Sequence, residues 1–250
     1  MNENPTTAEE QYQLGLCYAN GENGISQDWG KAILWFTKAA EQGDSDAQFS
    51  LGLCYSNGWG VPKNEKNTEE AIRWFAKAAE QGHSDAKKNL GICCCNLGIY
   101  NMNVGNQDKA FDWFKKAAEQ GNAMAQYNLG VSYSNGSLGA KKDLEEAVHW
   151  FEKAAEQGHS NAQQNLGMYY HQLGLCYVKG DGVPQDPKKA IELFEKAAEQ
   201  GYAASQYRLG LSYMDGWDIP KNPEKARHWL KKAADNGIEE AKKKLEEFGT

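Results

Sequence analysis

The sequence lacks the features that mark membrane proteins and nucleic-acid-binding proteins. No apolar run approaches the roughly 18 residues of a membrane span, and residues 1–11 hold neither the basic nor the apolar segment of a secretory signal. Acidic residues outnumber basic ones by 34 to 27, and no basic block is present. This balance argues against nucleic acid or an anionic membrane surface as a partner. We expect a cytoplasmic protein, although a secreted chain trimmed of its signal would look the same.

What the chain does contain is a tandem repeat. The hexapeptide Lys-Ala-Ala-Glu-Gln-Gly stands unchanged at 38–43, 77–82, 116–121, 153–158 and 196–201, and an altered copy stands at 232–237. The final glycines are spaced 39, 39, 37, 43 and 36 residues apart, which indicates an array of units that pack mainly on their neighbours. The spacing predicts a single repeat domain over 1–250. Its repeats are expected at about 8–43, 44–82, 83–121, 122–158, 159–201 and 202–237, with a capping helix at 238–248.

Each repeat is predicted to be a hairpin of two helices, as the second copy illustrates. Apolar residues recur at four-residue spacing from Ala47 and form one stripe of a first helix that ends at about Asn57. Glycine and proline within 58–64 predict a connector. A second helix is expected from about Thr68, and Gly82 supplies the left-handed residue that ends it. The predicted fold class is therefore all-α.

Two copies depart from this pattern. The third lacks the Gly-Val-Pro turn and carries residues 97–105 in its place. In the fifth, a Leu-Gly pair at 166–167 is followed seven residues later by another at 173–174. Seven residues rotate an apolar stripe by only about 20°. We therefore predict one first helix over about 161–179, lengthened by two turns, with both Leu-Gly pairs packed. Recombination between repeats would produce this insertion, and a functional insertion is the alternative.

The cysteines occur in positions that favour a structural role. The position directly after Leu-Gly-Leu or Leu-Gly-Ile is filled by Cys17, Cys54, Cys93 and Cys176, and Ser132 and Ser212 fill it in the other two repeats. Equivalent positions of stacked helices lie roughly 10 Å apart, which exceeds the Cα separation of about 7 Å beyond which a disulfide cannot form. Consecutive helix residues point about 100° apart, so the Cys-Cys-Cys run at 93–95 is a poor chelator. We predict reduced thiols, no metal and no cofactor.

The repeat unit also carries a family motif. It reads Ala-x3-Leu-Gly-x2-Tyr, then Gly-x-Gly-Val-Pro, then Lys-Ala-x2-Trp-Phe-x-Lys-Ala-Ala-Glu-x-Gly, best seen at 47–82. This unit resembles the Sel-1-like repeat, and the resemblance covers nearly the whole chain. It implies a right-handed superhelical solenoid of α/α hairpins, similar to tetratricopeptide repeats, that serves as an adaptor scaffold. The disulfide-clamped branch of the family has a cysteine pair in each repeat, which this chain lacks. The near identity of the copies also fits a consensus-engineered array.

The resemblance places one face of the first helices in a concave groove. Aligned on the first Leu-Gly pair of each repeat, one column of that face reads Tyr12, Phe49, Lys88, Tyr127, Gln164 and Tyr207. The next column reads Leu16, Leu53, Ile92, Val131, Met168 and Leu211, and the helix ends read Asn20, Asn57, Asn96, Asn135, Gln172 and Asp215. We expect these side chains to bind an extended peptide or a partner helix, with the asparagines pairing with peptide amides. The alternatives are that asparagine merely closes a helix before glycine and that the rings belong to the core between repeats.

One pair of residues suggests catalysis. Ser84 and Lys87 have the Ser-x2-Lys spacing of a lysine-activated serine acylase, but the companion Ser-Asp-Asn and Lys-Thr-Gly elements are absent. A serine at a helix start with a lysine one turn later is also an ordinary N-cap. We therefore predict a monomeric adaptor, not an enzyme, that binds a protein or peptide and no nucleic acid. The alternatives are a serine hydrolase acting on β-lactams, as proposed for disulfide-bearing relatives, and a structural array without a native ligand.

Overall fold

The computed structural model describes residues 5–217 and 219–249, and within them every regular element is a helix. The all-α class predicted from the sequence is confirmed. The helices are α1 Ala8–Asn20, α2 Trp29–Glu41, α3 Ser45–Asn57, α4 Glu65–Glu80, α5 Ser84–Asn103, α6 Gln107–Glu119, α7 Ala123–Asn135, α8 Leu144–Glu156, α9 Ser160–Lys179, α10 Pro187–Glu199, α11 Ala203–Asp215, α12 Pro223–Asp235 and α13 Glu239–Gly249. One compact unit ends at Ala125 and a second begins at Gln126, so a single domain over 1–250 stays a prediction.

One helix begins earlier than expected. We predicted that α4 starts near Thr68, but it starts at Glu65. The side chain of Asn64 accepts a hydrogen bond from the backbone N–H of Asn67 at 2.9 Å. This bond satisfies an N–H group that has no partner inside the helix. The capping residue, rather than the first apolar residue, therefore sets the start of this helix.

Left-handed glycines end the helices, as predicted for Gly82. Gly58 follows α3 with φ of +78°, and its backbone N–H donates to the carbonyl of Cys54 at 3.0 Å. The last residue of each hexapeptide copy takes the same region, with φ of +88° at Gly82. The others are Gly43, Gly121, Gly158, Gly201 and Gly237. The hexapeptide therefore specifies where each second helix stops.

The core of a hairpin is a phenylalanine ring packed on a glycine. In the second repeat the side chains of Leu51 and Phe75 are fully buried. A Cβ added to Gly52 would lie 2.6 Å from the Phe75 ring, so only glycine lets the ring approach the helix this closely. The same contact recurs for Gly15 with Phe36, Gly98 with Phe114, Gly130 with Phe151 and Gly174 with Phe194.

Two first helices are longer than the rest. Helices α5 and α9 have 20 residues, whereas α3 has 13. The lengthening of α9 was predicted and is confirmed, and both of its Leu-Gly pairs are buried. The lengthening of α5 was not predicted, although Leu-Gly pairs at 90–91 and 97–98 show the same seven-residue spacing. In both helices the second pair meets the phenylalanine ring, so it is the second pair that corresponds to Leu51 and Gly52.

Buried amide pairs tie the first helix to the end of the second in repeats of ordinary length. The Gln48 side chain accepts a hydrogen bond from Gln81 Nε2 at 2.9 Å and donates to the Ala40 carbonyl at 3.1 Å. Corresponding pairs join Gln11 to Gln42, Gln126 to Gln157 and Gln206 to Asn236. In α5 and α9 this position holds Cys94 and Tyr170. The longer helices therefore lack the amide at this position; in α9 the Tyr170 hydroxyl instead donates a hydrogen bond to Glu152 Oε1 at 2.5 Å.

The last helix of the second unit is α13. Helix α13 packs on α12, where Ala241 is buried and Leu245 joins a cluster with Tyr207 and Leu230. The sequence predicted a helix at 238–248, and its role as a cap stays a prediction. Among the described residues, no helix is both long and apolar enough to cross a membrane.

Candidate partner-binding surface

The lengthened helices change which residues are equivalent between repeats. The alignment on the first Leu-Gly pair assigned Lys88, Asn96 and Gln164 to the binding columns. Because the second pair packs on the phenylalanine ring, these three residues lie two helical turns before the intended positions. The alignment is therefore wrong for them, and likewise for Ile92, Met168 and Gln172. Lys88 and Gln164 lie exposed on the N-terminal halves of the long helices.

The corrected ring column packs on the core of its own hairpin. It consists of Tyr12, Phe49, Cys95, Tyr127, His171 and Tyr207. The ring centroids of Tyr12 and Phe36 lie 5.8 Å apart, those of Phe49 and Phe75 5.7 Å, and those of His171 and Phe194 5.4 Å. Phe49 also contacts the ring of His83, which starts the next repeat, at 4.4 Å. These contacts favour the core interpretation for the rings, and their binding role stays a prediction.

The second column becomes uniform after the correction. It consists of Leu16, Leu53, Ile99, Val131, Leu175 and Leu211. All six are aliphatic and half-buried, whereas Ile92, which the first alignment placed here, is 48% exposed. Leu16 packs partly on the core of the first unit, and Val131 and Leu175 pack partly on that of the second. The part of each side chain that remains exposed offers apolar contact to a partner.

The helix ends carry exposed polar side chains. The corrected column reads Asn20, Asn57, Asn103, Asn135, Lys179 and Asp215, all of them exposed. The backbone of the following glycine closes the helix at Asn20 and Asn57. The Asn135 side chain accepts a hydrogen bond from the Ser137 N–H at 2.9 Å, which supports the turn interpretation at that residue. We call the aliphatic column together with this helix-end column the first-helix face.

The sixth repeat carries a cation that the sequence analysis missed. The position before the packed Leu-Gly pair holds Gln13, Ser50, Asn96, Asn128, Gln172 and Arg208. The guanidinium carbon of Arg208 lies 5.6 Å from the Phe194 ring centroid and 5.7 Å from that of Trp217. Its Nε is buried and has no hydrogen-bond partner within the described part of the chain. The sequence did contain a signal for this residue, because the other five copies have an uncharged side chain at the same position.

The surroundings of Arg208 combine polar and aromatic groups. A depression of about 200 Å³ is lined by Arg208, Leu211, Ser212, Asp215 and Trp217. Nearby, the Nδ1 atom of His171 lies 2.7 Å from the hydroxyl oxygen of Ser205. Burial lowers the pKa of His171, and the positive charge of Arg208 lowers it further. Ser205 is fully buried, so this pair cannot present a nucleophile to a substrate.

The cysteines and the serine candidate show no constellation for chemistry. None of the six cysteines is in a disulfide, and burial raises the pKa of Cys54 to about 12 and that of Cys95 to about 11. Cys93 occupies the position of Ala47 rather than that of Cys54, because of the register correction. Ser84 is the exposed first residue of α5, beside the His83 ring that caps the helix. Within residues 5–217 and 219–249, no cluster of three or more ligand side chains could hold a metal ion.

Comparison with known proteins identifies the repeat. The sequence model of the Sel1 repeat matches residues 11–44, 45–83, 84–122, 123–159, 160–202 and 203–238. Among solved structures, a Sel1 repeat protein from Oxalobacter formigenes is 35% identical, over 91% of this chain and 85% of that one, with a TM-score of 0.39. The protective antigen c5321 of uropathogenic Escherichia coli, described as having an SLR fold, is 30% identical with a TM-score of 0.41. The match covers 95% of this chain but only 56% of the antigen. Curated protein sequences give no match.

Proposed function

Because the chain belongs to the Sel1 repeat family, we propose that it is a scaffold that binds an extended segment of a partner protein on the first-helix face of a unit. Proteins built from Sel1 and tetratricopeptide-like repeats are generally protein-interaction scaffolds. The observation that carries the proposal is the aliphatic column. The same half-buried position is aliphatic in all six repeats, and an exposed polar side chain follows at each helix end.

This face suits a peptide for physical reasons. Leu16, Val131 and Leu175 are already held by the core beneath them, so binding costs little additional entropy at these side chains. Covering its exposed part removes apolar surface from water, which stabilises a complex by about 25 cal/mol per Å². The amides of Asn20 and Asn57 each offer a donor and an acceptor to a peptide backbone. Apolar contact would therefore supply the affinity, and the amides would fix the path of the bound segment.

The proposal extends to the state and the location of the protein. We take it to act as a cytoplasmic monomer. The net charge of −7 supports a protein partner rather than nucleic acid, because phosphate binding requires a basic surface.

A binding role also fits better than catalysis. Sel1 repeat solenoids are typically scaffolds rather than enzymes. Across the described residues no hydrogen bond joins Ser84 to Lys87, and His83 rather than Ser84 caps the helix. The test is incubation with a chromogenic β-lactam. Turnover by the wild-type chain that is lost in Ser84→Ala would refute the binding role as the primary function.

The scaffold proposal is tested with a displayed library of random dodecapeptides selected against the full chain. Peptides that bind the first-helix face of the first unit should bind Leu53→Asp at least tenfold more weakly. Leu34→Asp is the matched control, because Leu34 lies 52% exposed on the second helix α2 and not on this face. Selected peptides that lose affinity for Leu34→Asp but not for Leu53→Asp would overturn the choice of face.

A further inference from the structure

We propose that the second unit contains a carboxylate receptor built around Arg208, so that the bound partner segment carries an acidic side chain or a chain terminus. The inference rests on the proposed scaffold function and specifies the chemistry of the partner. Arg208 lies on α11 next to Leu211 of the aliphatic column, and the depression that they line also reaches Asp215 of the helix-end column. A peptide on the first-helix face of this unit would therefore pass over it.

The first argument is the buried, unpartnered Nε of Arg208. Leaving a buried N–H group without an acceptor destabilises the fold, and more so when the group is charged. Native proteins seldom keep such a group unless a ligand or water completes it. The Nε has no acceptor among the described residues and is closed to solvent, so a ligand in the depression would reach it with a small shift of the Arg208 side chain and would then remove this destabilisation. The position is therefore stabilised most by a ligand that accepts hydrogen bonds.

The second argument is that aromatic rings hold the guanidinium in place. Phe194 and Trp217 lie within 6 Å of its central carbon, a separation at which a cation is attracted to a ring face. Arg73 is different, since it forms hydrogen bonds to both carboxylate oxygens of Glu70, at 2.8 and 3.1 Å. The rings thus position Arg208 while leaving its donors available. A planar guanidinium held in this way matches a carboxylate through two parallel hydrogen bonds.

The third argument concerns the size and polarity of the depression. Its volume of about 200 Å³ is below that of a typical pocket for a drug-sized ligand. It therefore fits a carboxylate with a short apolar stem, as in glutamate, better than a larger anion. Leu211 would contact the stem, and the 42% exposed Trp217 would cover the ligand from the side. Asp215 lines the same depression and disfavours an anion, but it is exposed, so water and salt screen its charge.

Nuclear magnetic resonance of the arginine Nε–H groups tests the receptor directly. The full chain has three arginines, so the spectrum should resolve Arg208, Arg73 and Arg227. On titration with N-acetylglutamate, which has both kinds of carboxylate, only the Arg208 signal should shift and saturate. N-acetylglutamate α-amide keeps only the side-chain carboxylate and N-acetylglutamine only the terminal one, so the probe that reproduces the shift identifies the source. Asp215→Asn should tighten this binding severalfold, because it removes a like charge from the depression. Because the signal is read in the wild-type chain, the test does not depend on a variant that fails to fold.

The outcomes separate the receptor from the scaffold proposal. No saturable shift of the Arg208 signal, or an equal shift at Arg73, would overturn the receptor. A stronger response to inorganic phosphate than to N-acetylglutamate would overturn the assignment to carboxylate. In the peptide selection, loss of binding to Arg208→Lys supports the receptor, since lysine keeps the charge but not the fork of donors. Peptides that bind the wild-type chain and Arg208→Lys equally would overturn the receptor and leave the scaffold function standing. A saturable shift of the Arg208 signal together with a selection that yields no peptide would support the receptor and overturn the scaffold function.

Discussion

The two Leu-Gly pairs of α9 should respond in opposite ways when glycine is replaced by alanine. A Cβ at Gly174 would lie 2.6 Å from Cε1 of Phe194, well inside normal contact. A Cβ at Gly167 would meet its nearest atom, the Cβ of Tyr202, at 3.4 Å, which is ordinary contact. Both glycines lie inside the same helix, so the change in helix propensity is the same for both. Only the packing differs between the two variants.

The expected free energies follow from these distances. Carbon atoms pack best at about 3.5–4.0 Å, so the Phe194 ring must move by about 1 Å to admit the new methyl group. Overpacking of this kind costs about 1–3 kcal/mol, and the better helix propensity of alanine returns up to about 1 kcal/mol. We expect Gly174→Ala to lower the free energy of unfolding by about 1–2 kcal/mol. Gly167→Ala should raise it by about 0.4–1 kcal/mol, mainly by restricting the unfolded chain.

Thermal unfolding followed by circular dichroism measures the difference. For a chain of this size each kcal/mol shifts the midpoint by about 2–4 °C, so the two variants should unfold about 3–12 °C apart. Gly98→Ala and Gly91→Ala extend the test to α5, where the corresponding distances are 2.6 and 3.3 Å. The contact at Gly91 is itself tight, so there we expect only that Gly91→Ala costs less stability than Gly98→Ala. Equal destabilisation by Gly167→Ala and Gly174→Ala, or a greater loss from Gly167→Ala, would refute the register that we assign to the long helices.

Three further predictions concern polar and titratable groups. Gln48→Met should lower stability by about 1–3 kcal/mol in urea denaturation, because it leaves a buried carbonyl and an amide without partners. Gln164→Met, at an exposed glutamine of α9, should change it by less than about 0.5 kcal/mol. Native iodoacetamide labelling read by mass spectrometry should modify Cys176, which is only half-buried, before any buried cysteine; early labelling of a buried thiol would contradict this order. Burial, and then the charge of Arg208, lower the pKa of His171 in the folded chain. As the pH falls below about 6.5, the unfolded chain therefore takes up a proton on this histidine before the folded chain does, and the free energy of unfolding should fall. His171→Gln should reduce this loss of stability, whereas His228→Gln, at an exposed site, should not. If the free energy of unfolding depends on pH equally in the two variants, the assignment of the loss to His171 is contradicted.

Much of the fold could be predicted because it depends on the spacing of residues that are close together in the sequence. The apolar stripes and the terminal glycine of each hexapeptide act within one or two helical turns, so their effect follows from periodicity and backbone geometry. The lengthening of α9 was predictable for the same reason. The start of α4 was misplaced because Asn64, a polar residue outside the apolar pattern, sets it through a side-chain hydrogen bond.

The register of the candidate site could not be predicted in the same way. Either of two Leu-Gly pairs seven residues apart fits one helical stripe, and only packing on Phe114 or Phe194 decides between them. In α5 the asparagines and the glycine near residue 100 looked like a connector, although Asn101 is fully buried and donates to the Leu97 carbonyl at 2.9 Å. Arg208 was missed because its significance lies in tertiary contacts with rings far apart in sequence.

The most direct test of the scaffold account is the electron density of the full chain crystallised with a peptide from the display selection. The account predicts an extended peptide along the first-helix face of a unit, with its side chains on the aliphatic column and its backbone amides at the exposed helix-end asparagines. In the second unit an acidic group should meet Arg208. A peptide bound instead to the second helices, or to the turns between the helices of a hairpin, would contradict the account.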